Sequence, residues 1–220
     1  MFFNLKKIFL IMEELNSENI EESDVISKEK VKLNRSWSFW ENYQIKNNSE
    51  KCYSDLLKEI YSFDDIISFW QFWNKYPGND TKNIFYNGEY ISYFFDEKYR
   101  IIAMNLFVKG IKPEWEDVKN KKGKTLILEY EVKKNIDGFL SAVTESWIKL
   151  LCYLIGEQIP FTNNINGIRF VDKTKPGKII IFRFEVWTNS CMTNENDIEY
   201  LKKFLSKNFG CSGILVKDIP

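Results

Sequence analysis

The 220-residue chain is predicted to fold as an α+β domain: a curved, mainly antiparallel sheet with three helices packed on its convex face. Several segments alternate apolar with polar residues, as half-buried strands do. Short polar turns such as Lys175-Pro-Gly-Lys178 predict hairpins, and only three segments carry apolar residues at helical spacing. The face of such a sheet that the helices leave uncovered is available for binding.

Each helical segment has a physical start or stop. The segments are Ser62–Lys75, about Asp137–Glu157 and about Asn194–Asn208. Ser62 or Asp64 is expected to cap the first helix, because short polar side chains accept hydrogen bonds from the free N–H groups of a first turn. Gly156 and Gly210 are expected to end the second and third helices in the left-handed conformation.

Strands are predicted for much of the remaining chain. They are Ser36–Tyr43, Glu89–Phe95, Tyr99–Phe107, Lys124–Val132, Ile165–Val171, Lys178–Thr188 and Gly213–Val216. Alternation is clearest in Arg183–Trp187, where Arg183, Glu185 and Trp187 share one face of the strand.

Composition excludes several functional classes. The chain has no histidine, so Ser-His-Asp triads, Cys-His pairs and histidine-containing zinc sites are excluded. Because 31 basic residues balance 31 acidic ones, any contact with nucleic acid is expected to be local. The four cysteines form no C-x-x-C pair, which favours reduced thiols and a cytoplasmic location with a possible nuclear pool.

The N-terminal region is predicted to lie outside the folded domain. Its apolar start is interrupted by Glu13 and Glu14, too early for a signal sequence or a membrane span, so no membrane association is expected. Residues 1–32 are interpreted as a mobile arm and residues 33–220 as a single domain, with a monomer as the expected state.

A polar loop between two predicted strands carries the most informative residues. In Lys109–Lys124, Trp115 is followed directly by Glu116 and Asp117. The indole could fold back over the core, with both acids solvated. Alternatively it stacks on a planar base while a carboxylate accepts the adjacent N1–H and N2–H donors that guanine presents. The residues alone leave both interpretations open.

Several motifs, in family order, resemble the eukaryotic translation initiation factor 4E family of cap-binding proteins. They are Leu33–Trp40, Phe63–Trp70 with Asn74, Gly110–Asp117, Lys119–Gly123, Trp147–Glu157, Asn166-Gly167 and Val186–Thr188. Together they cover most of the chain from Leu33 to about Val216. The resemblance implies a cupped antiparallel sheet with helices on its back and a 7-methylguanosine site in its concave face.

The resemblance also implies cap-binding residues. Trp115 and Tyr53 would stack on the two sides of the methylated guanine, Glu116 would bind its edge and Trp187 would lie near its methyl group. Most family members have Trp where this chain has Tyr53. Since N7 methylation makes the base cationic, each ring would add a cation-π attraction to stacking.

Basic residues for the cap phosphates are harder to assign. The resemblance implies Lys124, Lys173 and Arg183, and the last of these rests on aligning Trp187 with the position that contacts the methyl group. For each lysine, a solvated surface charge is the alternative interpretation.

A second binding face is implied on the convex side. In the family, a helical peptide with the pattern Tyr-x-x-x-x-Leu-hydrophobic docks there, as scaffold factors such as initiation factor 4G and inhibitory proteins do. The corresponding residues are Ile66, Trp70, Ile148, Cys152, Ile155 and Gly156. Core packing is the alternative role, and Lys149 stands where the family has an acid.

The predicted function is therefore a non-catalytic protein that links capped mRNA to a scaffold factor, with no metal or cofactor. A repressor-type homologue that does not recruit the scaffold is an alternative, favoured by Tyr53 and Lys149. A peptide adaptor whose cap pocket has decayed is another. From a different class comes an Mg²⁺-dependent nucleotide hydrolase using Glu114, Glu116 and Asp117.

Overall fold

The computed structural model describes residues 32–45, 53–85, 99–131, 136–174, 180–211 and 213–220. The strands are β1 (Lys32–Ile45), β2 (Leu57–Asp65), β3 (Tyr99–Val108), β4 (Lys124–Glu131), β5 (Ile165–Asp172), β6 (Ile181–Thr188) and β7 (Ile214–Asp218). The helices are α1 (Ile66–Trp73), α2 (Thr81–Phe85), α3 (Ile136–Ile155) and α4 (Glu195–Phe209).

The strands form one sheet in the order β2-β1-β3-β5-β6-β4-β7, and every neighbouring pair is antiparallel. This confirms the predicted α+β class and the three predicted helices. The five-residue α2 was not predicted, because one turn is too short to show helical periodicity. The predicted strand Glu89–Phe95, most of the N-terminal arm and Cys52 lie outside the described residues, and β1 already begins at Lys32.

Strand β2 corrects the predicted start of the first helix. Ser62 and Phe63 pair with Ser38 and Trp37 of β1, so this segment is extended instead of helical. The helix begins at Ile66 after Asp65, whose carboxylate accepts the N–H of Ser68 at 2.8 Å. Asp65 is therefore the N-cap, and the prediction of Ser62 or Asp64 was wrong.

The two later helix ends differ in how they close. Gly210 follows α4 in the left-handed conformation with φ 64°, as predicted. After α3 the left-handed residue is Glu157, with φ 54°, and the prediction of Gly156 was wrong. The N–H of Glu157 bonds to Leu154 O at 3.1 Å and that of Gln158 to Tyr153 O at 2.8 Å, a bonding pattern that requires the left-handed residue at position 157.

The main core lies between the helices and one face of the sheet. Trp147 of α3 packs against Phe170 of β5 and Phe184 of β6, with ring centroids 5.6 and 5.5 Å apart. Within α3, Gly138–Ile155 is apolar enough by length and composition to cross a membrane, at a mean hydropathy of 1.3. Leu140, Trp147 and other apolar residues of this segment are fully buried in the core, which accounts for its composition.

The opposite face of the sheet carries a row of polar residues. Strand register places Asn105 of β3 opposite Arg169 of β5, and Arg169 opposite Glu185 of β6. Beside this row, Phe107 packs edge-on against Trp187 at 5.6 Å. That packing requires Gly167, because a Cβ there would lie 2.4 Å from the Phe107 ring.

Candidate functional site

A pocket of about 200 Å³ opens on the polar face of the sheet. Its lining residues are Tyr53, Pro113, Glu114, Trp115, Glu116, Arg169 and Trp187. Four of the residues predicted for a base site, namely Tyr53, Trp115, Glu116 and Trp187, thus lie around one cavity. We call this set of lining residues the aromatic pocket.

Trp115 is presented by a loop that its own polar residues hold in shape. The side-chain amide of Asn120 donates to Lys112 O and Glu114 O, both at 2.8 Å. The carboxylate of Asp117 accepts the N–H groups of Lys112 at 2.8 Å and Lys119 at 2.9 Å. Trp115 itself is 56% exposed, so it does not fold back as a lid over the core.

Tyr53, in a short 3-10 turn before β2, faces the pocket with a fixed hydroxyl group. That hydroxyl lies 3.1 Å from Asn42 Oδ1 and 3.2 Å from Pro113 O, and it accepts from Arg169 Nη2 at 2.9 Å. Burial raises the pKa of Tyr53, against the opposing effects of Arg169 and Asn42, so the phenol stays neutral. Tryptophan has one ring donor and no acceptor, and could not receive the Arg169 bond.

Arg169 is a pocket residue that the sequence analysis missed. Its Nε donates to Asn105 Oδ1 at 2.8 Å and its Nη1 to Glu185 Oε2 at 3.2 Å. The guanidinium also lies 5.2 Å from the centroid of the Trp187 ring. One sequence signal was available: Arg169 lies two residues after Gly167, on the same face of β5.

Trp187 lies at the back of the pocket. It is 1% exposed, and its indole N–H donates to Glu185 Oε2 at 3.1 Å. Glu185 therefore accepts from both Arg169 and Trp187. These bonds fix the ring orientation from behind, so a ligand meets a rigid surface.

The three basic residues predicted for phosphates do not line the pocket. Lys124 is paired with Asp218 at 2.8 Å and Arg183 with Glu129 at 2.7 Å. Lys173 has no ion-pair partner in the described part of the chain. Its pKa is lowered, first by partial burial and further by Arg169 and Arg183, while Glu185 opposes the change. Lys173 therefore lies in a group of mixed charge that contains two arginines and two acids, Glu185 and Asp172.

The residues predicted to bind a partner lie mostly inside the main core. Ile66, Trp70 and Ile155 are each 2% exposed and Cys152 is 4% exposed. Gly156 is also buried and Ile148 is half-buried. The indole N–H of Trp70 has no hydrogen-bond acceptor among the described residues. Lys149 donates to Asn208 O at 2.7 Å and lies over the Phe209 ring at 5.3 Å.

Comparison with known families agrees with this architecture. The model of the family described as Eukaryotic initiation factor 4E matches residues 32–212, which is most of the chain. The chain belongs to the eukaryotic initiation factor 4E family.

Relatives within the initiation factor 4E family are distant in sequence. Eukaryotic translation initiation factor 4E of Candida albicans is 27% identical over 197 residues, which cover 88% of this chain and 82% of that protein. Isoform 4E of Arachis hypogaea is 28% identical over 145 residues, covering 63% of this chain and 57% of that protein. Sequence has diverged widely between this chain and both relatives.

Solved structures in the initiation factor 4E family share the fold. C. elegans eIF4E-3, in complex with the 4E-binding protein Mextli, superimposes with a TM-score of 0.63 at 21% identity. The match covers 85% of this chain and 92% of that one. Ascaris suum eIF4E-3, in complex with an m7G cap, superimposes with a TM-score of 0.60 at 21% identity, covering 86% and 92%.

Proposed function

We propose that this initiation factor 4E homologue binds the 7-methylguanosine cap of mRNA in the aromatic pocket and performs no catalysis. One observation carries the proposal: two substantially exposed aromatic rings, Tyr53 and Trp115, line the same pocket as the carboxylate of Glu116. Exposed apolar groups gathered in one concave site mark ligand-binding grooves. Structures of the Ascaris suum and schistosome relatives with m7G or m7GpppA support the same ligand class.

The chemistry of the methylated base fits these residues. N7 methylation gives guanine a positive charge, so each ring contributes stacking of about 1–3 kcal/mol and cation-π attraction of about 0.5–2 kcal/mol. Glu116 is exposed on the pocket wall, where its carboxylate accepts the N1–H and N2–H donors of the base edge. Both parts of the site act through binding alone.

For the phosphates we propose Lys173, with Lys124 and Arg183 as further contacts. Lys173 has no ion pair to break among the described residues, whereas Lys124 and Arg183 would exchange their bonds to Asp218 and Glu129 for phosphate oxygens. Because both of those pairs are partly exposed, the exchange costs little.

Titration with nucleotides tests the cap-binding proposal. Quenching of tryptophan fluorescence by 7-methyl-GTP is expected at concentrations about tenfold or more below those needed for GTP, because GTP lacks the cation-π attraction. Equal responses to both nucleotides would contradict the proposal. Release of phosphate from GTP in the presence of Mg²⁺ would favour the nucleotide hydrolase instead. The structure does not favour a hydrolase, because the carboxylate of Asp117 already accepts the backbone N–H groups of Lys112 and Lys119.

We further propose that helices α1 and α3 bind an amphipathic peptide of a scaffold or inhibitory protein through Ile66, Trp70, Ile148, Cys152, Ile155 and Gly156. Support comes from the family and from the relatives solved with Mextli or a 4E-BP. The unpaired indole N–H of Trp70 would gain an acceptor in a peptide carbonyl. Since Trp70 is 2% exposed, docking requires neighbouring side chains to move.

We propose two possible outcomes of this peptide binding. The first is recruitment of a scaffold factor, and the second is repression. Lys149 places a cation where the family has an acid, and this cation is engaged within the chain by Asn208 and Phe209. Both features favour repression. Adding the chain to a cap-dependent translation reaction distinguishes the two: stimulation indicates recruitment and inhibition indicates repression.

Replacement of Trp70 by phenylalanine tests the partner proposal with little loss of core volume. Binding of a synthetic peptide with the Tyr-x-x-x-x-Leu-hydrophobic pattern is expected to weaken about tenfold, because the indole donor is lost. Binding of 7-methyl-GTP is expected to stay unchanged. Fluorescence anisotropy of a labelled peptide measures the first and calorimetry the second. Unchanged peptide affinity would show that Trp70 serves only the core.

A further inference from the structure

Glu114 is a buried acid on the pocket wall, and one of its oxygens is unpaired among the described residues. It is 7% exposed and lines the aromatic pocket beside Trp115. Its Oε1 is buried and has no hydrogen-bond partner among the described residues. A buried carboxylate oxygen without a partner is costly, so its place in a ligand pocket calls for a ligand that compensates it.

The other buried charges of the pocket already compensate one another. Arg169 and Glu185 form an ion pair at 3.2 Å, with side-chain exposures of 11% and 10%. Glu185 also accepts the indole N–H of Trp187, and Arg169 donates to Asn105 and Tyr53. Among the described residues that line the pocket, the negative charges with no ion-pair partner are therefore those of Glu114 and Glu116.

These two acids differ in their exposure to water. Glu116 is exposed, so solvent and salt screen its charge, and it would meet the same N1–H and N2–H donors of a guanine edge with or without methylation. Glu114 is buried, and its charge acts on the neighbouring Tyr53 ring. Burial is the main cause that raises the pKa of Tyr53, and the negative charges of Glu185 and Glu114 raise it further. A charge shielded from water interacts more strongly with a charged ligand than an exposed one does.

We propose that Glu114 is the specificity-determining residue that detects the positive charge of an N7-methylated purine, an inference that rests on the proposed cap-binding function. A cationic base stacked between Tyr53 and Trp115 compensates the unpaired carboxylate. A neutral base leaves it uncompensated. Selection then depends on the charge of the base and not on the bulk of its methyl group.

Three ligands separate charge from shape. 7-methyl-GTP carries both the methyl group and the charge, GTP carries neither, and 7-methyl-7-deaza-GTP carries the methyl group on a neutral ring. The native protein is expected to prefer 7-methyl-GTP over the deaza compound by about tenfold or more. Glu114→Gln keeps the shape of the side chain and removes its charge, so this preference is expected to fall about threefold, while the cation-π attraction of Tyr53 and Trp115 keeps the rest.

Two further variants serve as controls. Glu116→Gln is expected to weaken binding of all three ligands, because it changes edge contacts that they share. Glu114→Asp keeps a carboxylate and is expected to retain most of the preference for the charged base. Calorimetric affinities for each protein, with circular dichroism to confirm folding, give all the comparisons.

The outcomes distinguish this inference from the proposed function. A native protein that binds 7-methyl-GTP and GTP equally would overturn cap binding itself. A native protein that prefers 7-methyl-GTP, combined with an unchanged preference in Glu114→Gln, would overturn the role of Glu114 and leave cap binding standing. If Glu114→Asp and Glu114→Gln lose the same share of the preference for 7-methyl-GTP, the role of Glu114 would also be overturned, because the charge of the side chain would then not be the cause of that preference.

Discussion

Replacing Trp115 by alanine is expected to weaken 7-methyl-GTP binding by about 100-fold without unfolding the protein. The change removes stacking and a cation-π contact, together about 3 kcal/mol, which corresponds to about two powers of ten in the dissociation constant. Folding is expected to survive because the indole is 56% exposed and the loop is held by Asn120 and Asp117. Calorimetry measures the affinity, since the substitution removes a fluorescent reporter.

Val118→Ala is the matched control for this prediction. Val118 is 78% exposed in the same loop but does not line the pocket, so its loss is expected to change neither affinity nor melting temperature measurably. Retention of 7-methyl-GTP binding within about threefold in Trp115→Ala would place the base elsewhere on the protein.

Replacing Arg169 by methionine is expected to lower the free energy of unfolding by about 3 kcal/mol and to weaken 7-methyl-GTP binding. The stability loss follows because Glu185, whose side chain is 10% exposed, would keep its charge without an ion-pair partner. The binding loss follows because Tyr53 loses the donor that holds its hydroxyl at 2.9 Å. Urea unfolding measures the first effect and calorimetry the second.

Two other variants separate the effects of Arg169. In Arg169→Met/Glu185→Gln the buried charge is gone while an amide oxygen can still accept the Trp187 indole N–H, so most of the stability is expected to return. Tyr53→Phe keeps the ring but removes its hydroxyl, so affinity is expected to fall with only about 1 kcal/mol of stability lost. If the double variant is as unstable as Arg169→Met alone, the unpaired charge of Glu185 is not the cause of the stability loss.

Periodicity predicted most of the fold because it reports which side of each element is buried. Six of the seven strands have a predicted counterpart, as do helices α1, α3 and α4. The exception is β2. Its last residues directly precede the helical spacing of Ile66, Phe69 and Trp70, so the sequence predicts a helix there, although these residues pair with β1. Local pattern cannot show that Phe63 lies opposite Trp37, since that pairing joins positions far apart in the chain.

Some pocket residues can be predicted from the sequence, and others are visible only in the folded structure. Trp115 and Glu116 stand out in sequence because an aromatic ring and acids in a polar loop are unusual, and the family motif assigns Tyr53 and Trp187. Nothing local distinguishes Glu114 from the neighbouring acids, and its burial appears only once the loop has folded over the pocket. The same holds for Trp70, whose motif predicts a docking residue while the packed helices leave it 2% exposed.

The sequence by itself determined the α+β class, the family and the aromatic residues of the pocket, because each depends on short motifs or on apolar periodicity. Tertiary structure alone decided which charges at the pocket are paired. Strand register sets Arg169 against Glu185 and so neutralises the pair, while Oε1 of Glu114 has no hydrogen-bond partner among the described residues. Which charges are paired depends on distances of a few ångströms between distant segments, and only the assembled sheet sets those distances.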